Sequence, residues 1–286
     1  MPGHKVINNS HYALTAEQLQ SFQENGYLLI NDFFDPEESK LLQQWSQEVY
    51  DLPRTPGVPW MPYEEVNSLG LRVLCRTENF AKSHPGFDSF LRGKRAMSVL
   101  QQLAKEEMLL FKEKINYKLA GSGGFPPHID ASGYTRVKGG NHLSVLAAVD
   151  EMNMTNGGLE VIKGSHCMEV PLREDRCIEP EWIENHEWTP CDLQPGDILI
   201  FGSYLAHRSG ANTSSKDRHA IYATYNPAIE GDLHDEYYAD REKVYPATHM
   251  RKEGESYAEG QTSFAFATPM LTVDQFALPT AVQNAT

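Results

Sequence analysis

His128 and Asp130 stand two residues apart in Phe125-Pro-Pro-His-Ile-Asp130. On an extended strand that spacing sends both side chains from one face, so an imidazole and a carboxylate can take adjacent positions on one metal ion. His207, in Tyr204-Leu-Ala-His207-Arg-Ser209, offers a third ligand. Two histidines and one carboxylate on one side of an octahedral ion leave the opposite positions open. That suits non-haem Fe(II), which must hold both a co-substrate and O2. A bare His-x-Asp arises by chance in many chains, and a histidine serves as readily in a structural hydrogen bond as on a metal. The surrounding residues have to decide.

The elements that would position these groups are strands. From about residue 107 to 226 the pattern is strand-like with Gly/Pro turns, which predicts a β barrel or sandwich. In Phe111–Lys118, Lys112, Lys114, Asn116 and Lys118 fall on one face, with Phe111, Ile115 and Tyr117 on the other. Alternation groups His142, Ser144, Leu146 and Ala148, and likewise Arg218, Ala220, Tyr222, Thr224 and Asn226. The lysine row reads either as a solvated face or as cations suited to an anionic ligand. Pro195-Gly196 makes a turn before the strand Asp197–Phe201 that leads toward His207, and His166 reads as a turn-fixing residue.

Ahead of the strands lie helices. Thr15 with Gln18 forms a capping-box pattern for a helix ended by Gly26, and Tyr27–Ile30 is a short strand. Asp35-Pro36-Glu-Glu opens a second helix, and a third is expected over Phe87–Lys105. Residues 51–70 read as an ordered Pro-rich loop anchored by Trp60 and Tyr63. The expectation is one domain over 1–286, with a helical part (13–106), a β core (107–226) and a C-terminal extension (227–286). A loop over 52–70 and the tail around Tyr237–Tyr245 are expected to cover the substrate side of the metal.

The formal net charge of −14 over 286 residues argues against a nucleic-acid surface. No stretch approaches the roughly 20 apolar residues of a membrane span, and the expectation is a soluble cytoplasmic protein. Cys75, Cys167, Cys177 and Cys191 are widely spaced and read as free thiols. Oligomeric state is left open, a homodimer included.

Several of these features together resemble the phytanoyl-CoA dioxygenase family of Fe(II)/2-oxoglutarate-dependent oxygenases. The carriers are His128-x-Asp130, Asn156-Gly-Gly-Leu-Glu-Val-Ile-Lys-Gly-Ser-His166, Pro195-Gly-Asp197, His207-x-Ser209-x-x-Asn212, and Arg218 eleven residues after His207. Lys114-Ile-Asn-Tyr-Lys118 is similar to a run in ectoine hydroxylases and 2-aminoethylphosphonate hydroxylases. The resemblance implies a double-stranded β-helix, a cupin-like jelly roll that is mainly β with flanking helices. It also implies that Asn116 and Ser144 contact 2-oxoglutarate, that Arg218 pairs with its distal carboxylate, and that Tyr134 stands beside it. Arginine suits that task because its planar fork makes two parallel bonds to a carboxylate.

The implied reaction consumes O2 and 2-oxoglutarate, releases succinate and CO2, and hydroxylates or otherwise oxidises a small molecule. Ascorbate is expected to help in vitro. Related halogenases carry a small residue where Asp130 stands, so its carboxylate favours hydroxylation. The alternatives are a non-catalytic metal- or ligand-binding cupin-like barrel, or an isomerase or hydrolase on a similar barrel. For the substrate, Lys112, Lys114, Arg136 and Lys138 would suit an anion, a secondary metabolite remains compatible, and Trp60, Tyr63 and Tyr204 are candidate contacts.

Overall fold

A computed structural model describes residues 7–133 and 141–271. It opens with α1 (Ala16–Asn25), β1 (Tyr27–Ile30) and α2 (Pro36–Tyr50). Both helices start where their caps predict. Thr15 accepts from the Gln18 N–H while the Gln18 side chain accepts from the Thr15 N–H. Asp35 accepts from Glu37 and Glu38, with Pro36 in the first turn. Each start thereby satisfies donors that a helix end leaves free.

Gly26 closes α1 at φ +80°, and a Cβ there would sit 2.4 Å from His166 Nδ1. Gly26→Ala is therefore expected to lower stability by about 1–3 kcal/mol, combining left-handed strain with a clash. The urea midpoint should fall at constant slope. An unchanged midpoint would show that neither the backbone shape nor the His166 contact is required.

Residues 51–70 are not all loop. They contain β2 (Met61–Val66), paired with β3 (Arg72–Glu78). Pro62 is tolerated because β2 is the outermost strand of its sheet, where an absent N–H can face away from the ladder. The helix expected over 87–105 is two, α3 (Pro85–Leu91) and α4 (Lys94–Ala104), with Gly93 capping the second. Then come β4 (Met108–Lys118), β5 (Phe125–His128), β6 (Leu143–Ala148) and β7 (Leu159–Val161). After α5 (Pro180–Glu184) follow β8 (Thr189–Cys191), β9 (Ile198–Gly202), β10 (His207–Ser209) and β11 (Arg218–Pro227). Helices α6 (His234–Val244) and α7 (Ala258–Phe264) complete the described chain.

The strands form a seven-stranded sheet, β1-β9-β6-β11-β4-β3-β2, and a four-stranded sheet, β5-β10-β7-β8. Their pairings are antiparallel, and together the sheets make the jelly roll. Helices α1–α4 cover the outer face of the large sheet around Ile115, Tyr117, Val145, Ile221 and Ala223. Its inner face, with Leu146, Leu199, Phe201 and Ala220, meets Leu159 and Val161 of the small sheet. Alternation on β6 and β11 thus sorts residues between helices and barrel interior.

On β4 the expected face of Phe111, Ile115 and Tyr117 breaks at a bulge. Lys112 pairs with Thr224 and Leu110 with Tyr225, which leaves Phe111 out of register. Leu110 continues the helix-side core, while Phe111 packs on Tyr237 at 4.7 Å between ring centres.

The helical part expected over 13–106 therefore contributes three strands to the large sheet. The tail docks on that sheet: Tyr238 donates to the Glu113 carbonyl at 2.7 Å, and the Leu271 N–H donates to Glu64 O at 2.7 Å. Among the described residues no helix is long and apolar enough to cross a membrane. All four cysteines are free.

Candidate metal centre

His128 ends β5 and His207 begins β10, and the two are direct cross-strand partners. Their ring centres lie 4.2 Å apart. One device orients both rings. Nδ1 of each bonds the carbonyl two residues earlier, Pro126 O at 2.7 Å for His128 and Leu205 O at 2.9 Å for His207. With Nδ1 as the donor, Nε2 is left with a lone pair for a metal.

Asp130 arrives by a different route from the one its spacing suggested. The strand stops at His128, and Asp130 opens a short 3-10 turn, Asp130–Gly133. The turn brings Asp130 Oδ1 to 3.8 Å from His128 Nε2 and 3.9 Å from His207 Nε2. Its other oxygen accepts from Ser144 Oγ at 3.2 Å, and Ser144 lies 3.1 Å from Thr224 Oγ1. The donor atoms of the three residues lie within 4.8 Å of one another.

The electrostatics fit a divalent ion. Burial, reinforced by His207, pushes the His128 imidazole down to about 3, so it stays neutral at physiological pH. Burial would raise the Asp130 carboxyl, but His207, Lys112 and Lys114 outweigh it and hold the group below the usual carboxylate range. Neutral imidazole and ionised carboxylate are the metal-binding forms. Two nitrogens and one oxygen on one side, facing a cavity, match the Fe(II) oxygenase pattern.

That cavity is lined by Lys114, Asn116, Phe125, Ser144, Tyr222 and Thr224, among others. The lysine row of β4 is thus turned toward the barrel interior and is not a solvated face. Asn116 Oδ1 accepts from Arg76 Nε at 2.8 Å, which leaves its NH2 end to donate. Arg218 is buried on the inner row of β11, but it does not line the cavity. Its Nε donates to Asn156 O at 3.0 Å, and a terminal nitrogen donates to Gly157 O.

The expected substrate contacts separate. Tyr204 is exposed on the loop before His207. Trp60 donates to Pro53 O at 2.8 Å and lines a different groove, beside α6. Tyr63 has 0% of its surface exposed, is stacked on Tyr245 and accepts from Arg241 Nε. Neither Trp60 nor Tyr63 lines the metal cavity, because β2 sits at the far edge of the large sheet. From the tail, Tyr237 lies 5.6 Å from Lys112 Nζ, and Phe266 meets the His128 ring edge-on at 5.9 Å. His166 bonds Gln23 O at 3.2 Å, as a structural residue. Tyr134, Arg136 and Lys138 lie outside the described residues.

Sequence reasoning passed over Arg76, Ser209, Tyr222 and Thr224 as site residues. Alternation from Arg218 flags Tyr222 and Thr224, and Ser209 follows His207 by two. Arg76 had no signal while β3 went unrecognised.

A family model described as phytanoyl-CoA dioxygenase matches residues 22–220. The 2-aminoethylphosphonate dioxygenase of uncultured bacterium HF130_AEPn_1 is 33% identical over 258 residues, covering 90% of this chain and 98% of that protein. The methylphosphonate hydroxylase of Gimesia maris is 34% identical over 233 residues, 81% of this chain and 88% of that one. Among solved structures, EctD from S. alaskensis with bound Fe superposes with a TM-score of 0.63 at 21% identity, over 79% of this chain and 82% of that one. This last likeness speaks for the fold. The fold, the His128–Asp130–His207 centre and these relatives converge: the chain belongs to the phytanoyl-CoA dioxygenase family and is an Fe(II)/2-oxoglutarate-dependent oxygenase.

Proposed function

We propose that the chain hydroxylates a C–H bond of a small organophosphonate. The observation that carries this reading is Lys114, which stands on the inward face of β4 and lines the metal cavity together with His128, Asp130 and His207. Burial pushes the Lys112 ammonium down to about 8 and Lys114 well below its ordinary value. Of the acids whose field reaches Lys114, Asp130 is committed to the metal. Glu78 is shared between Arg76 at 3.2 Å and Arg241 at 3.0 Å. A lysine placed as Lys114 is gains from an incoming anion, and a phosphonate brings several acceptor oxygens to one point. Two relatives named for phosphonates support the same class.

Bound iron supplies the O2 chemistry, in which 2-oxoglutarate loses CO2 to become succinate and one oxygen atom enters the substrate C–H. The chain's own residues bind and orient. His128, Asp130 and His207 would hold the ion, three ligands that leave it able to take co-substrate and O2 as well. Ser144 holds the outer oxygen of Asp130 and so keeps the carboxylate aimed. Asn116, turned by Arg76, donates toward 2-oxoglutarate, and Arg218 anchors the distal carboxylate. Lys114 draws the phosphonate in with its carbon skeleton toward the metal.

The test is incubation with Fe(II), ascorbate, O2 and 2-oxoglutarate plus methylphosphonate, 2-aminoethylphosphonate or carboxylate analogues, followed by succinate assay and phosphorus NMR. A hydroxylated phosphonate formed in step with succinate is expected. If a carboxylate is hydroxylated and no phosphonate is, the substrate assignment fails while the oxygenase stands. Lys114→Met should raise the phosphonate KM about 10–100-fold, the roughly 1.5–3 kcal/mol of a hydrogen bond to a charged group. An unchanged KM would remove Lys114 from the substrate site.

A further inference from the structure

Lys118 and Arg218 are register partners across β4 and β11. Each is 3% exposed. Two like charges side by side in the interior repel, and burial is costly unless an anion offsets it. Among the described residues neither makes an ion pair with a carboxylate. Both rest on neutral oxygens. Lys118 Nζ is bonded to Gly157 O at 3.1 Å, to Ser209 Oγ at 2.8 Å and to Gly210 O, contacts that an ammonium makes as donor and an amine makes by donating to the two carbonyls and accepting from the Ser209 hydroxyl; Arg218 takes Asn156 O and Gly157 O. Glu65 on β2 is the acid whose field reaches Lys118, and burial raises its carboxyl toward the neutral form. One of its oxygens already accepts from the Gly123 N–H at 3.0 Å.

The pair lies just behind the cavity wall. Ser209 and Phe125 line the metal cavity, and Lys118 Nζ sits 5.4 Å from the centre of the Phe125 ring. Ser209 also follows the metal ligand His207 by two residues. An anion that reaches this pair is thus the far end of a molecule whose near end is at the metal.

We propose that Lys118 is a second cation, beside Arg218, that seats the distal carboxylate of 2-oxoglutarate through the Ser209 side of the cavity. This rests on the assignment of Arg218 to that carboxylate. A consequence separates a seat from a mere brace. Burial and the neighbouring Arg218 push the Lys118 ammonium down to about 6, so near neutral pH the empty seat holds mostly the amine. An arriving carboxylate offsets both effects and draws a proton onto Nζ. Binding coupled to proton uptake is strongest at low pH and weakens as pH rises above about 6, by up to tenfold per pH unit. The groups facing Lys118 are Arg218 from β11, Glu65 from β2, Ser209 from β10 and the carbonyls of Gly157 and Gly210. Of these Glu65 could also take up a proton, so it needs its own control.

The experiment is anaerobic calorimetry of 2-oxoglutarate binding to the Fe(II)-loaded protein, near pH 7.5, in buffers of different ionisation enthalpy. The wild type is expected to take up close to one proton per 2-oxoglutarate. Lys118→Met should lose the uptake and weaken binding at least about tenfold. Lys118→Arg, which stays charged, should keep the affinity without uptake or pH dependence, and Glu65→Gln should still take up the proton. Thermal melts check that each variant folds; if Lys118→Met does not, the wild type and Lys118→Arg decide. No uptake by the wild type, or uptake that persists in Lys118→Arg, overturns the proposal. If Arg218→Ala binds 2-oxoglutarate normally, the underlying assignment of the carboxylate fails instead.

Discussion

Replacing His207 with alanine is expected to remove turnover and iron retention together, with activity falling at least about 1,000-fold. That exceeds the about 10–100-fold typical when only a residue that orients a ligand is lost. Two observations set the expectation. His207 Nε2 faces Asp130 Oδ1 at 3.9 Å, and its ring is the cross-strand partner of His128. Without it only His128 and Asp130, from one short stretch of chain, would be left to hold the ion. Ser144→Ala is the contrast. It frees one Asp130 oxygen but leaves all three ligands, so activity should fall within the smaller range. Iron content after dialysis, turnover and a thermal melt are measured together. Wild-type iron content and turnover in His207→Ala would sink the metal assignment.

Arg218→Ala should raise the 2-oxoglutarate requirement by the equivalent of about 2–4 kcal/mol, or roughly 30–1,000-fold, as expected for truncating one partner of a buried charge pair. The structure adds a second effect. Arg218 also holds Asn156 O and Gly157 O, so its loss frees the turn behind the cavity. Arg218→Lys separates the two, because it keeps the charge and loses the fork. It should fall between wild type and alanine for 2-oxoglutarate. The KM for the other substrate should move much less than that for 2-oxoglutarate. An unchanged 2-oxoglutarate KM in Arg218→Ala would mean that another group holds the carboxylate.

The metal ligands were legible because their residue types are scarce and their spacing is local. Helix starts were legible for the same reason: Thr15 with Gln18, and Asp35 with Pro36, are self-contained patterns. The rows of β6 and β11 could be read from alternation, but alternation cannot say which face the helices cover. That is why the lysine row stayed ambiguous until both sheets were in place. Pro62 disguised β2, and its loss as a strand also hid Arg76 and made Trp60 and Tyr63 look free for a ligand. The bulge at Phe111 left no local mark. Nor could spacing bring Lys118 to Ser209, because their meeting depends on how the two sheets face each other.

The order of the large sheet also bears on how the chain is made. Strand β1 ends at Ile30, and its partner β9 begins at Ile198, with Ile30 paired to Ile198. A ribosome adding about 5–20 residues per second takes on the order of 10–30 seconds to cover that interval. Throughout it, Leu28 and Ile30 have no strand to lie against, and β1 stays open until β9 emerges. Residues with strong local starts, the capped helices α1 and α2, come first and can shelter that strand. The acidic excess of the chain, −14 overall, serves the same end by keeping unfinished copies apart while the barrel waits to close.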